Sequence, residues 1–138
     1  MPMQTMATVS CRYSGELRCI ATHNRSGAVL TTDAPIDNAG KGEAFSPTDL
    51  VATALATCIL TIMGITANSR GWSLEGSTAD VDKQMTQAGA RRVETLRIHL
   101  KLPPHLSEEQ RMLLQRVAEQ CPVKRSLDTS VHVELIWS

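Results

Sequence analysis

An α+β fold with the order βββ-α-ββ-α-β is what this 138-residue sequence predicts, and three observations lead to it. Short runs of strand-forming residues, separated by turn signals, open the chain and recur after residue 72. Between them lies one long stretch without a charged residue, residues 50–67, bounded by a helix start and a glycine stop. A second, shorter amphipathic run follows the double proline Pro103-Pro104. The length is that of one ordinary domain, so a single domain over residues 1–138 is expected, with enough chain to bury a core.

The first strand is expected over residues 7–13 (ATVSCRY), which alternate; Ser14-Gly15 then turns the chain into a strand over 16–22. Ser26-Gly27 makes a second turn, into a strand over 28–32. Cys11 and Cys19 are strand residues in this reading, expected to pack as small hydrophobes. Residues 33–45 carry Gly and Pro signals without periodicity and read as a loop. The helix that follows is strongly marked. Ser46 suits the N-cap, Pro47 the first helical position, and Asp49 at N3 completes a capping-box arrangement. It should run to about Ser69, with Gly71 as its stop. At helical spacing Cys58 shares a face with Val51, Ala54, Leu55, Thr61, Ile62 and Ile65, which predicts a thiol enclosed by hydrocarbon. The helix is just long enough for a membrane span, but its many Thr and Ala residues favour a central helix buried in the protein or in a dimer.

Residues 73–85 and 91–102 read as a hairpin around Thr86-Gln87-Ala88-Gly89. Its second strand alternates, with Leu96, Ile98, Leu100 and Leu102 inward and Arg97, His99 and Lys101 outward. Ser107 caps a second helix with Gln110 at N3, and Leu113, Leu114, Val117, Ala118 and Cys121 form its apolar stripe. Pro122 ends or kinks that helix, a short continuation reaches Leu127, and residues 130–137 form the last strand.

Composition excludes several classes of function. Hydrophobic residues at 42% and charged residues at 20% describe a globular chain. Fourteen basic residues balance fourteen acidic ones, and only 3% of residues are aromatic, so neither the charge nor the stacking surface for nucleic acid is present. Residues 1–5 are short and polar, which reads as no secretory signal and places the chain in the reducing cytoplasm. The cysteines, at 11, 19, 58 and 121, match no zinc spacing, and the histidines at 23, 99, 105 and 132 show no ligand spacing; surface positions are expected for them. Cysteines in a reducing compartment are either inert core residues or working thiols.

Taken singly, Cys58 and Cys121 both read as core residues of helix stripes. Their settings, Ser46-Pro47-Thr48-Asp49-Leu50 leading through a small-residue run to Cys58, and Cys121-Pro122-Val123-Lys124-Arg125-Ser126-Leu127, together resemble the osmotically inducible protein C and organic hydroperoxide resistance family, OsmC/Ohr. The resemblance covers nearly the whole chain, including the order of elements. It implies an interlocked homodimer with active sites built from both subunits, and a two-cysteine thiol peroxidase for organic hydroperoxides. On that resemblance Cys58 is the peroxidatic cysteine, passing through a sulfenic acid, and Cys121 the resolving cysteine that condenses with it to a disulfide. No bound cofactor or metal is implied; an external dithiol, with dihydrolipoyl groups usual in the hydroperoxide-resistance branch, would reopen the disulfide.

Only a thiolate is a competent nucleophile, and apolar surroundings disfavour the charged form, so the chemistry calls for a cation near Cys58. The family supplies an Arg held by a Glu near the helix start. Arg18, in the N-terminal hairpin, is the first choice here and Arg25 the second. The hydroperoxide-resistance branch has Glu after the helix-start proline, where this chain has Thr48. Asp49, one step later as in the OsmC-like branch, already serves the cap and lies nine helical steps from Cys58, on the opposite face. Glu43, in the preceding loop, is another acid for the Arg. The competing reading is a non-enzymatic, dimeric binding or stress-response protein with packed cysteines, which Thr48 favours. A membrane-anchored protein is disfavoured, because the flanking strands would lack a core without the long helix.

Overall fold

The computed structural model describes residues 7–138; the N-terminal segment read for a signal, residues 1–5, lies outside them. The chain is α+β, with two three-stranded sheets and helices. It forms two compact units, one ending at Leu50 and the other spanning Val51–Ser138.

The first unit is the antiparallel sheet β1(Val9–Gly15), β2(Arg18–His23) and β3(Val29–Asp33) with the segment that follows it. The first strand runs two residues further than expected. The reversal is carried by Glu16 and Leu17, both at positive φ, and Ser14 Oγ donates to the Arg18 carbonyl across it. Left-handed backbone at two non-glycine residues is the twist that a tight hairpin demands, at some steric cost. After a 3-10 turn at Ile36–Asn38 the loop doubles back, and Asp33 N–H donates to the Phe45 carbonyl at 3.0 Å. Gly40 makes this possible, since a Cβ there would overlap the Ala34 carbonyl. All of β1 up to Ser14 is exposed, Cys11 included, and Cys19 is half-buried; the expectation that Cys11 packs as a small hydrophobe does not hold. Alternation in that strand signalled its pairing but said nothing of what its faces meet.

Helix α1(Pro47–Ser69) has the expected bounds. Ser46 N–H donates to Asp49 Oδ2 at 2.9 Å and Asp49 N–H to Ser46 Oγ at 3.0 Å, the reciprocal capping box. Gly71 stops it at φ +74.

In the second unit β4(Thr78–Met85) pairs antiparallel with β5(Val93–Lys101), which pairs in parallel with β6(His132–Trp137). The fourth strand starts five residues later than expected because 74–77 make a turn, with Ser77 N–H and Oγ both donating to the Leu74 carbonyl. Leu96, Ile98, Leu100 and Leu102 are buried, as the alternation predicted. They join Leu55, Ile59, Met63 and Ala67 of the long helix in one core. That helix is long and apolar enough to cross a membrane by length and composition, and its innermost stripe packs here.

The parallel step from β5 to β6 requires a crossover. It is made by α2(Glu108–Ala118), with the full Ser107/Gln110 capping box, and α3(Pro122–Leu127). Helix α2 ends before Cys121, so that cysteine is not the last member of its stripe. It is instead the N-cap of a separate helix, and Pro122 starts that helix at N1 rather than kinking the previous one.

Candidate functional site

Two groups of side chains carry chemistry, each within one unit. In the second unit Cys58 and Cys121, 63 positions apart, come together: Cys58 packs against the core that holds Cys121, Pro122 shares a cavity wall with Cys58, and both are free thiols. Helix periodicity explains the exposure of Cys58. The buried stripe of α1 runs through Leu55, Ile59 and Met63, and Cys58 sits at its edge, half-buried. The expected enclosure by hydrocarbon is therefore incomplete. Ala54, Thr61, Ile62 and Ile65 on the helix, together with Pro122, line an open apolar cavity of about 450 Å³ at the Cys58 thiol.

Cys121, in contrast, is fully buried. As N-cap its Sγ accepts the Lys124 N–H at 3.4 Å. Burial pushes its pKa up, the neighbouring Cys58 thiol adds to the rise, and the N–H groups of Lys124 and Val123 oppose it. Lys124 is itself buried. Its Nζ lies 2.8 Å from Glu119 Oε2 and 3.1 Å from Asp128 Oδ2. Burial alone would lower its pKa, but the two carboxylates outweigh that and raise it, which keeps the ammonium charged.

In the first unit Arg18 pairs with Glu43, Nη2 to Oε2 at 3.1 Å, and reaches Asp33 Oδ2 at 3.6 Å. Arg18 and Asp33 face each other across β2 and β3. Asp33, only 1% exposed, also accepts the Glu43 N–H at 3.0 Å through Oδ2, and its Oδ1 has no hydrogen-bond partner. Glu43 thus contacts the Arg for which it was an expected partner. Asp49 is engaged in the helix cap, and Thr48 Oγ1 lies 3.2 Å from Ser46 Oγ. Arg25 is exposed at its turn, and so are all four histidines. Among the described residues no group of three His, Cys, Asp or Glu side chains could hold a metal ion.

Two contributors escaped the sequence reading. Lys124 carried a signal, its i,i+4 spacing to Asp128. Asp33 carried none, because its opposition to Arg18 depends on strand register.

The family model described as OsmC-like protein matches residues 40–136. Among solved structures, a Psychrobacter arcticus protein named for an osmotic stress induced and detoxification response is 40% identical over the full length of both chains, with a TM-score of 0.92. The organic hydroperoxide resistance protein OsmC of Legionella pneumophila is 20% identical, with TM-score 0.75 over 98% of this chain and 99% of that one. OhrB, the organic hydroperoxide resistance protein of Bacillus subtilis, is 19% identical, with TM-score 0.71 over 97% and 98%. These last two likenesses are of fold. No curated protein sequence matches the chain.

Proposed function

This chain belongs to the OsmC-like protein family, and from that premise we propose that it is a thiol-dependent peroxidase that reduces organic hydroperoxides. The observation that carries the reading is a free, half-buried thiol, Cys58, in the wall of an apolar cavity, packed against the core that holds the second free thiol, Cys121. That wall suits an alkyl or lipid hydroperoxide better than hydrogen peroxide, and the volume is that of a small-molecule site.

The Cys58 thiolate attacks the outer peroxide oxygen, the O–O bond breaks, and the departing alkoxide takes a proton to leave as the alcohol. Cys58 is left as a sulfenic acid. The Cys121 sulfur then attacks it: an S–S bond forms, the S–O bond breaks, and the hydroxyl leaves with the Cys121 proton as water. An external dithiol reopens the disulfide by exchange and is itself oxidised, with dihydrolipoyl groups the proposed reductant. Arg18 is the proposed cation for the reacting peroxide and thiolate, held by Glu43; its bridge to that carboxylate supports the assignment. Asp49, tied into the helix cap, serves by fixing the start of α1.

The active form we propose is a homodimer in the cytoplasm, with no nucleic acid or membrane partner. Large apolar side chains lie open in the isolated chain, among them Tyr13, Val29, Phe45 and Ile65, and a second copy would cover such surface. Four free thiols suit a reducing compartment. Thr48 at the position of the branch's Glu favours a second reading, a non-enzymatic stress-response or binding protein.

Consumption of cumene hydroperoxide by the purified protein with dihydrolipoamide separates the two. The peroxidase reading expects turnover that exceeds that with hydrogen peroxide and is abolished in Cys58→Ser. Wild type no faster than Cys58→Ser, with dihydrolipoamide or a general dithiol, would overturn it in favour of the binding protein.

A further inference from the structure

Helix α3 has six residues, too few to hold together on local propensity, yet it carries the buried Cys121 at its N-cap. Lys124 is the residue that ties it down. Its ammonium joins Glu119, the C-cap of α2, to Asp128, the C-cap of α3. Glu119 lies two residues before Cys121 and Asp128 seven after it, so one buried cation braces the backbone on both sides of the cysteine. The same residue presents its N–H to Cys121 Sγ, and Arg125 N–H donates to the Cys121 carbonyl at 3.0 Å. The two carboxylates are about half exposed, whereas the lysine side chain is not, so the brace is centred on Lys124. A buried ammonium is retained only with partners of this kind.

We propose that Lys124 is a positioning residue for disulfide closure: by clamping Glu119 and Asp128 it holds Cys121 Sγ in reach of Cys58, while oxidation of Cys58 does not depend on it. The inference rests on the peroxidase reading and deepens it. The step governed is the second one, in which Cys121 displaces the sulfenic hydroxyl of Cys58 and water is released. A loss of alignment of about an ångström slows such a step by one to two orders of magnitude.

The test follows one turnover of wild type, Lys124→Met and Lys124→Arg with one equivalent of cumene hydroperoxide. Sulfenic acid is trapped with dimedone in one sample, and in another, without dimedone, disulfide is measured by loss of the second free thiol, since the first is lost on forming the sulfenic acid. Lys124→Met should form sulfenic acid at the wild-type rate but close the disulfide roughly tenfold or more slowly, so that the dimedone adduct accumulates. Lys124→Arg, which keeps the charge between both carboxylates, should restore closure. Glu119→Gln and Asp128→Asn, which each leave half the brace, should fall between. Closure at the wild-type rate in Lys124→Met, or equal slowing of both steps, overturns the proposal. If wild type forms no sulfenic acid, the peroxidase reading fails by itself. Closure driven by diamide, which accepts the two electrons directly, then decides: slower closure in Lys124→Met upholds the clamp and an equal rate overturns it.

Discussion

The sheet β4-β5-β6 buries Leu96, Ile98 and Leu100 in a core shared with α1 and α2, whereas β1 exposes every residue from Val9 to Ser14. The two sheets have equal strand counts and similar strand-forming composition, so local preference does not separate them. What separates them is the source of their cohesion. The second unit rests on apolar burial. Among the described residues the first has few buried side chains, Thr32, Asp33 and Ser46, all polar; Asp33 accepts the Glu43 N–H and bridges to Arg18, and Ser46 belongs to the helix cap. A three-stranded sheet with one uncovered face is marginal unless something else packs on it.

The largest effect that could break this contrast is in the core. Ile98→Ala should cost about 2–5 kcal/mol in urea unfolding, because the side chain is fully buried; a cost below about 1 kcal/mol would remove the apolar account of the second unit. Asp33→Ala should cost about 1–3 kcal/mol, since the Glu43 N–H loses its partner and Arg18 one of its two carboxylates. Hydrogen exchange at the Glu43 amide should accelerate with it. Ser107→Ala, which removes one half of the α2 capping box, should cost about 1 kcal/mol in the same urea assay. Val29→Ser, at a site 62% exposed, should shift stability by no more than about 0.5 kcal/mol at protein concentrations low enough to prevent self-association. A cost growing with protein concentration would show that a second copy covers that face.

The smallest effect is on pH dependence. The raised Cys121 pKa means that the folded chain holds this proton more tightly than the unfolded chain. Its contribution to stability is therefore complete below the ordinary thiol pKa and lost as pH rises through the raised one. The melting temperature should fall slightly more steeply on the alkaline side in wild type than in Cys121→Ala.

How much of this was legible depended on whether the determinant was local. The long helix was read to its ends because Ser46, Pro47, Asp49 and Gly71 act within a few residues of the termini. The start of the second helix and the inward face of β5 are equally plain. The sequence places Cys121 on the second helix because it continues the α2 stripe in phase, whereas α2 closes at Ala118 with Glu119 as C-cap and Cys121 caps the next helix. The exposure of Cys11, the half-exposure of Cys58 and the opposition of Arg18 to Asp33 depend on tertiary packing and register, which no short window of sequence encodes.

The most direct test of the central claim is to map the oxidised cysteines by peptide mass after one equivalent of cumene hydroperoxide. The account predicts a disulfide joining Cys58 to Cys121, lost again on adding dihydrolipoamide, with Cys11 and Cys19 still reduced. Four unmodified thiols, or oxidation confined to Cys11 and Cys19, would contradict it.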